Sequence, residues 1–200
     1  MTNGERAVPH PTPILRAERI YLRPAERSDL AHFVRWLNDA EVTRQLAVRS
    51  PISQAMEDKW FERLVEKQGG EQYHFVICLI DGDRPIGATD LRELDLENGN
   101  AGFGIVIGEK SEWNKGYGTE TLQAICDFGF GQLRLERIWL EVYAPNKAGH
   151  RAYQKAGFTE EGAFRHAHFA DGQHLDATVM SLLRDEWLAL PRTKSWEYPF

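Results

Sequence analysis

A pair of glycines, Gly116 and Gly118, constrains the fold of this chain more than any other feature. They follow an apolar run at residues 101–107 that is typical of a buried strand, and they precede apolar residues at helical spacing, among them Leu122 and Ile125. Glycines at a helix start leave backbone N–H groups unhindered at the positive end of the helix dipole, where a phosphate can bind. The alternative is a structural tight turn that uses glycine only for its backbone freedom.

The residues around these glycines exclude two common phosphate-binding patterns. The ATP-binding loop requires a glycine, four residues and then Gly-Lys-Ser or Gly-Lys-Thr, and this ending is absent here. The dinucleotide fingerprint requires a third glycine, but Thr121 stands at that place. A second Gly-x-Gly, at residues 102–104, lies inside the predicted strand. A nucleotide-binding enzyme is therefore a weak alternative.

The remaining sequence alternates strand and helix patterns, with turn signals at Asp81-Gly82, at residues 98–100 and at Asp171-Gly172. We therefore expect an α/β (α+β) fold with a largely antiparallel start and one strand-loop-helix unit in the middle. The predicted strands cover residues 19–23, 73–80, 85–91, 101–107 and 137–143 and two runs around Asp171, the second at 176–183. Three predicted helices begin near Ser28, Ser53 and Gly116, and a fourth covers residues 147–155.

Length and composition bound the domain organisation. No linker rich in Pro, Gly or Ser divides the 200 residues, so one domain is expected at residues 14–190. Residues 1–13 form a flexible N-terminal segment in this interpretation, and residues 191–200 a loosely held C-terminal tail. Cys78 and Cys126 stand among apolar neighbours without metal or redox spacing, so both are expected in the core, with no disulfide.

Charge and hydropathy exclude several classes of partner. A formal net charge of -6 disfavours nucleic acid, because binding to phosphate backbones depends on clustered Lys and Arg. No apolar run approaches the roughly 18 residues that span a bilayer, and the polar, Pro-containing start differs from a secretory signal. We therefore expect a cytoplasmic protein without a membrane partner. The sequence leaves a monomer and a homodimer equally open.

A second motif follows about thirty residues after the glycine pair, where Asn146 precedes Tyr-Gln-Lys-Ala-Gly-Phe at residues 153–158. Together with Trp-Asn-Lys-Gly-Tyr-Gly-Thr-Glu at residues 113–120, it resembles the two main motifs of the GNAT acetyltransferase superfamily. Residues 176–187 are similar to the branch that contains ribosomal-protein N-terminal acetyltransferases and related amine acetyltransferases. The resemblance covers roughly residues 14 to 190.

The resemblance implies a mixed, mostly antiparallel sheet of six to seven strands flanked by about four helices, with acetyl-CoA between two central strands that splay apart. It implies acetyl-CoA as the donor, a primary amine as the acceptor and no metal. The cofactor-binding residues carried over from the motifs are Ile105, Val106, Ile107, Asn114, Lys115, Gly116, Tyr117, Gly118, Thr119 and Asn146.

The chemistry requires a neutral amine, yet an alkylamine with a pKa of about 10.4 is almost wholly protonated at neutral pH. A base must therefore remove a proton, and a hydroxyl must assist the departing thiolate. Tyr153 matches the family position of that acid; its structural alternative is a buried helix residue. Asn146 is either a ligand of the pantetheine arm or a helix N-cap, and these two roles are compatible.

Three residues depart from the family pattern: Trp113 replaces a common Gln or Arg, Gly149 replaces a Ser, and Gly102 replaces a Glu that helps to deprotonate the amine. The base is therefore not identified by the motif. Glu141 is the leading replacement, ahead of Asp90 and Glu93, although each is also compatible with a solvated surface charge.

Three histidines, His166, His168 and His174, flank the Asp171-Gly172 turn. A metal site is disfavoured because no carboxylate accompanies them. Instead they are expected either to line the acceptor side together with Arg165 or to face solvent.

The acceptor itself is not specified by sequence. A protein N-terminus, an amino sugar, an aminoglycoside and a polyamine all remain open, because acceptor loops vary most within such folds. The alternative to an enzyme is a non-catalytic acyl-CoA-binding module, which the missing Glu at residue 102 favours and Tyr153 disfavours.

Overall fold

The computed structural model describes residues 14–44, 46, 48 and 51–199. The predicted flexible segment at residues 1–13 lies outside this described part. Among the described helices, none is both long and apolar enough to cross a membrane.

One eight-stranded sheet organises the described chain, in the spatial order β1-β2-β3-β4-β5-β6-β8-β7. The sheet is mixed and mostly antiparallel as expected, but it has one strand more than the predicted six to seven. The additional strand has only two residues, which is too short for any alternation of polar and apolar residues to reveal it. The strands are β1 (Leu15–Arg16), β2 (Ile20–Pro24), β3 (Tyr73–Leu79), β4 (Arg84–Asp95), β5 (Asn100–Ile107), β6 (Arg137–Tyr143), β7 (Thr159–Ala170) and β8 (Gln173–Leu183).

Six helices accompany the sheet in the described residues, against about four predicted. The two additional helices span four and six residues, so they too are shorter than a helical pattern needs. Asp39 caps the shorter one by accepting hydrogen bonds from the backbone N–H groups of Glu41 and Val42. The helices are α1 (Leu30–Leu37), α2 (Ala40–Thr43), α3 (Gln54–Lys67), α4 (Tyr117–Gly131), α5 (Lys147–Lys155) and α6 (Arg184–Ala189).

The sheet has a hydrophobic core on each of its two faces. Along β2, Ile20 and Leu22 belong to the cluster that includes α4, whereas Tyr21 belongs to the cluster that includes α1 and α3. Cys78 and Cys126 are free and fully buried, one in each cluster, as predicted. Helix α4 therefore covers one face of the sheet, and α1 with α3 covers the other.

The two central strands separate in the middle of the sheet. Strands β5 and β6 run parallel, and their register covers only Asn100 to Gly102 against Arg137 to Trp139. Beyond this point β5 stays paired with β4 as far as Ile107, and β6 stays paired with β8 as far as Tyr143. A gap therefore opens between β5 and β6, and this is the splay that the family resemblance implied.

The C-terminal residues fold back onto α4. Asp127 is buried in α4 and accepts hydrogen bonds from Trp187 Nε1 at 2.8 Å, from Arg192 and from the backbone N–H of Ser195 at 2.7 Å. The aromatic ring of Trp196 packs at 6.1 Å from that of Trp187. These contacts differ from the loosely held tail expected for residues 191–200.

Candidate active site

A groove of about 590 Å³ opens where β5 and β6 separate. Residues 103–106 of β5 and residues 139 and 141–143 of β6 form its walls, and α1, α3, β3 and β4 close it on one side of the sheet. Tyr153 and Asn146, the two residues predicted from the second motif, both line it. Ile105 and Val106 line it as well, while Ile107 lies at the end of β5.

The loop from β5 to α4 has the backbone shape that its glycines predict. Gly116 is the N-cap of α4 and has a φ of 92°, and Asn114 before it has a φ of 61°. Both angles are in the left-handed region, which favours glycine and tolerates asparagine. An ideal Cβ on Gly118 would meet nothing within 4 Å. The N-terminus of α4 is therefore open above Gly118, and its unobstructed N–H groups fit the pyrophosphate of a CoA group.

Trp113 fixes this loop to the sheet. Its indole Nε1 donates a hydrogen bond of 2.7 Å to the carbonyl oxygen of Ile107, the last residue of β5. It also packs against the core cluster on the α1 and α3 side. The Trp that departs from the family pattern thus joins the loop to the splayed strand.

The charge of Lys115 is already compensated. Its Nζ lies 3.0 Å from Glu112 Oε2, and Arg84 Nη2 lies 2.7 Å from the other oxygen of the same carboxylate. These two hydrogen-bonded cations hold the pKa of Glu112 below its usual range. The positive charge that the sequence placed beside the glycines is therefore shared with a buried carboxylate.

Arg19 is a loop contact that the sequence reasoning missed. Its Nη1 donates to the carbonyl oxygen of Lys115 at 3.1 Å, its Nη2 pairs with Glu120 at 3.0 Å, and its guanidinium lies 4.6 Å from the ring centre of Tyr117. It stands 96 residues before the loop that it touches, and no local pattern signals such a contact. Arg19 therefore brings a partly exposed cation to the start of α4.

Tyr153 lies in α5 with its ring between two phenylalanines, at 6.3 Å from Phe103 and 6.4 Å from Phe158. Burial raises the pKa of its hydroxyl to about 12, against a smaller lowering by the charge of Arg92. The phenol therefore keeps its proton at neutral pH, as a proton donor must.

Asn146 is the N-cap of α5, which confirms one of its two predicted roles. Its Oδ1 accepts a hydrogen bond of 2.8 Å from the backbone N–H of Gly149. A Cβ at Gly149 would approach the Asn146 side chain to 2.7 Å. Glycine in place of the family's Ser therefore makes room for this cap.

The missing carboxylate at Gly102 also has a structural explanation. A Cβ on Gly102 would lie 3.2 Å from Cζ2 of Trp139, which faces it from the parallel register of β6. The indole occupies the space that a longer side chain would need.

Carboxylates from other elements surround the groove instead. Among the described lining residues, Glu57, Asp90, Glu93 and Glu141 are acidic, and Arg92 is the single Lys or Arg. Burial raises the pKa of Glu57, and Glu141 is exposed on β6. The wall is therefore net negative, since Arg92 offsets only one of the ionised carboxylates.

The three histidines around the last turn lie apart from the groove lining. The rings of His166 and His174 stack at 5.2 Å and are exposed, whereas His168 is buried and stacks at 3.9 Å on Tyr143. Arg165 is exposed and also lies apart from the lining. Of the two alternatives for these residues, Arg165, His166 and His174 therefore follow the one that faces solvent, whereas His168 is buried against a lining residue, Tyr143. In the described chain, no three His, Cys, Asp or Glu residues are grouped for a metal ion.

Comparisons with known proteins agree with this geometry. Residues 19–159 match the model of an acetyltransferase (GNAT) domain. The chain is 30% identical over 178 residues to spermidine N(1)-acetyltransferase of Escherichia coli K12, covering 88% of this chain and 92% of the relative. It is 29% identical to the uncharacterized N-acetyltransferase p20 of Bacillus licheniformis, with coverage of 86% and 97%. A putative ribosomal N-acetyltransferase of Bacillus subtilis matches only half of the chain, at 31% identity.

Among solved structures, spermidine N-acetyltransferase from Vibrio cholerae in complex with CoA and spermine superimposes with a TM-score of 0.79. The match has 24% sequence identity and covers 85% of this chain and 98% of the other. The family model covers most of the chain, and the splayed strands and the open N-terminus of α4 agree with it. This protein therefore belongs to the GNAT acetyltransferases and is an acetyl-CoA-dependent N-acetyltransferase.

Proposed function

We propose that this enzyme acetylates a primary amine of a small, flexible polycation of the polyamine type. The observation that carries the proposal is the groove wall, with four acidic side chains against one guanidinium. Carboxylates attract ammonium groups, and the effect is stronger in a partly enclosed groove than in bulk water. The relatives support the same acceptor, since two of them are named for spermidine.

Aromatic side chains add a second form of cation recognition. Trp36, Trp60, Trp139 and Tyr143 line the groove together with the carboxylates. Aromatic faces attract alkylammonium groups and pack against the methylene segments between them. A linear polyamine alternates charge and methylene, so it matches both kinds of surface.

The other acceptors use this wall less well. A protein N-terminus brings one charge whose pKa is only about 7.7–8.0, so it gains little from several carboxylates. An amino sugar or an aminoglycoside needs many hydrogen-bond partners for its hydroxyl groups. The polyamine therefore remains the acceptor that the groove favours.

On the donor side, the proposed binding groups are mainly backbone. Acetyl-CoA supplies an acetyl group activated as a thioester. Successive residues of a strand direct their N–H groups to opposite sides, so only part of the segment Ile105, Val106 and Ile107 points away from β4. Those N–H groups would donate to the pantetheine and to the thioester oxygen, where negative charge develops during attack. The Asn146 amide would hold the pantetheine arm. The pyrophosphate would lie against the loop residues Asn114, Lys115, Gly116, Tyr117, Gly118 and Thr119, with Arg19 beside them.

Tyr153 is the proposed acid. A thiol has a pKa of about 8.5, which is below the value of about 12 for this phenol. Full proton transfer to the sulfur is therefore uphill, and the hydroxyl acts first as a hydrogen-bond donor that stabilises the departing thiolate. Its ring contacts with Phe103 and Phe158 hold it in position for this role.

Glu141, the leading acidic candidate from the sequence, is proposed as a carboxylate of the acceptor site. It projects from the β6 wall with Trp139 and Tyr143 and is exposed to solvent. A solvated carboxylate suits a distal ammonium group better than it suits proton removal at the reacting centre.

Thiol release measured across a panel of acceptors tests the proposal. The panel contains spermidine, spermine, an aminoglycoside and short peptides with free N-termini, and calorimetric titration with acetyl-CoA accompanies it. We expect acetyl-CoA binding and thiol release with the polyamines, with an acceptor KM that rises with salt. If only the peptides are acetylated, the acceptor is a protein N-terminus and not a polyamine. If the chain binds acetyl-CoA without any turnover, it is a non-catalytic module.

A further inference from the structure

Three residues form a row across the middle of the sheet. His74 on β3 is the register partner of Asp90 on β4, and Asp90 is the register partner of Gly104 on β5. Direct partners on antiparallel strands present their side chains to the same face. Two residues along each strand, and so on the same face, lie Val76 and Ala88, which belong to the core cluster beneath α1 and α3. His74, Asp90 and Gly104 therefore face that side too, and all three line the groove.

The absent side chain of Gly104 brings Asp90 close to β5. A Cβ built on Gly104 would lie 2.7 Å from Arg92 Nη1 and 3.0 Å from each carboxylate oxygen of Asp90. The carboxylate therefore rests over the backbone of β5, one residue before Ile105. It also lies 3.4 Å from Arg92, whose charge reaches the hydroxyl of Tyr153. Asp90 thus lies beside the part of β5 that is proposed to face the thioester.

Two buried acceptor atoms in this row lack hydrogen-bond partners. Neither Asp90 Oδ1 nor His74 Nε2 has one within the described part of the chain. Arg92 Nη1 approaches the carboxylate without forming a hydrogen bond to Oδ1. Unsatisfied buried polar atoms are rare in folded proteins and call for an explanation. An ammonium group with three N–H donors is the kind of ligand that such a site lacks.

The surroundings of His74 keep its imidazole neutral. The rings of Phe33 and Trp60 stand edge-on to it at 6.0 and 5.1 Å. Burial lowers its pKa, while the charges of Asp90 and Asp29 act in the opposite direction. Other ionisable groups on the facing elements are Glu57 on α3 and Arg92 and Glu93 on β4. A neutral imidazole beside a carboxylate is a stronger base than the carboxylate alone.

We propose that Asp90 and His74 are the proton-accepting pair for the acceptor amine. Asp90 binds the substrate ammonium beside Gly104 and takes one N–H proton, which frees the nitrogen lone pair to attack the acetyl carbon. After the attack the nitrogen loses a second N–H proton, which leaves with the CoA thiol. The first proton passes through a bridging water to His74 Nε2, because no hydrogen bond joins Asp90 Oδ1 to this atom in the described chain. This step regenerates the carboxylate and leaves an imidazolium that later releases its proton to water. The inference rests on amine acetylation and not on the choice of a polyamine. It identifies a base in a chain where Gly102 replaces the family's Glu.

Kinetic variants provide the first test, with the best acceptor of the panel. Asp90→Asn and His74→Gln are compared with Glu97→Gln and His174→Gln, which are exposed and outside the groove lining. At pH 7 we expect both groove variants to lose about 10²–10³-fold in kcat, which is within the usual range for a general base. The acceptor KM should rise only in Asp90→Asn. Acetyl-CoA affinity and the circular dichroism spectrum should stay unchanged in all four variants.

The pH profile separates a lost base from a lost contact. In the groove variants, the turnover should increase about tenfold per pH unit up to the pKa of the amine, because solution must then supply the neutral form. An acceptor that is neutral at pH 7 should recover most of the loss. Folded variants that keep the wild-type pH profile, or that are not rescued by this acceptor, would overturn the inference.

Nuclear magnetic resonance of the labelled histidine ring tests the pair without any acceptor. Because the Asp90 charge favours the imidazolium, the pKa of His74 should fall further in Asp90→Asn and stay unchanged in Glu97→Gln. If His74 titrates identically in all three proteins, the pair is uncoupled and the inference is wrong. This result stands even when no amine of the panel is acetylated, which is the separate failure of the proposed acceptor.

Discussion

The proposed donor side and the proposed acceptor side of the groove are built in different ways. The donor side is made mostly from backbone, in β5 and in one continuous loop in which Asn114 and Gly116 have left-handed angles. The acceptor side is made from side chains on five elements, from Phe33 on α1 to Tyr143 on β6. A backbone site needs particular residues at fixed spacing, whereas a side-chain site needs only that distant residues meet. The first leaves a motif in the sequence and the second does not.

Tyr153→Phe gives the largest effect that we expect, and it tests the proposed acid in the groove. The substitution removes only the hydroxyl and leaves the ring between Phe103 and Phe158. We expect kcat to fall by about 10²–10³-fold, since proton donors typically contribute 10²–10⁴-fold, while acetyl-CoA affinity changes little. Single-turnover thiol release and calorimetry measure the two quantities.

Tyr73→Phe is the matched control, because this tyrosine lies outside the groove lining and donates to the carbonyl of Gly69 at 3.1 Å. It should retain wild-type turnover. An unchanged kcat in Tyr153→Phe would remove the acid assignment from Tyr153.

Gly118→Leu tests the donor side alone. A Cβ at this residue meets no atom within 4 Å, so the side chain should be tolerated by the fold and should obstruct the space over α4 instead. We expect the Kd of acetyl-CoA to rise by about tenfold or more, since 1.4 kcal/mol of lost binding is a factor of ten. The thermal midpoint should shift by less than in a core variant.

Gly162→Leu is the control for Gly118→Leu, because its Cβ also meets nothing and it lies on β7, away from the groove. Equal acetyl-CoA binding by the two leucine variants would mean that the glycine pair forms a structural turn and no phosphate site.

Glu141→Gln tests the acceptor side with a smaller effect. One carboxylate at a partly solvated wall changes the binding of an ammonium group by about 1 kcal/mol, so we expect the polyamine KM to rise about fivefold. The difference from wild type should shrink at high salt because the charge is screened. The Kd of acetyl-CoA should not change.

Glu97→Gln, on the exposed turn between β4 and β5, serves as the control for a lost surface charge. A tenfold or larger fall in kcat for Glu141→Gln, with the KM unchanged, would instead return this residue to the role of base.

The same contrast between donor and acceptor sides governs what the sequence reveals. The bounds of β6 and α5 follow from alternation and helical spacing, and the glycine loop follows from its motif. Strand β1 and helices α2 and α6 are too short to produce a period. Arg19 touches the loop across the fold, and no local pattern marks it.

The acceptor wall shows a further reason why sequence alone does not predict the whole site. Asp90 is one of three acidic candidates in the sequence, and nothing in its sequence neighbourhood places it ahead of Glu141 or separates it from a solvated charge. Its importance arises from the register of β3, β4 and β5, which aligns it with His74 and Gly104. Register is a property of strand pairing, so a site defined by register can be recognised only in the folded chain.

The smallest expected effect is on the free energy of unfolding, and it concerns His74 on the proposed acceptor side. Because burial lowers the pKa of His74 from its ordinary 6.5, the unfolded chain takes up a proton below pH 6.5 that the folded chain does not. The free energy of unfolding of the wild type should therefore decrease as the pH falls below 6.5, by at most about 1.4 kcal/mol for each unit of pKa lowering. His74→Gln lacks this component, so the difference between variant and wild type should change in favour of the variant only below pH 6.5. Urea unfolding from pH 5 to 8 measures it, and His174→Gln, exposed on β8, should show no such trend. A difference that is independent of pH would mean that His74 has the same pKa in the folded and the unfolded chain, and that its burial does not disfavour the imidazolium.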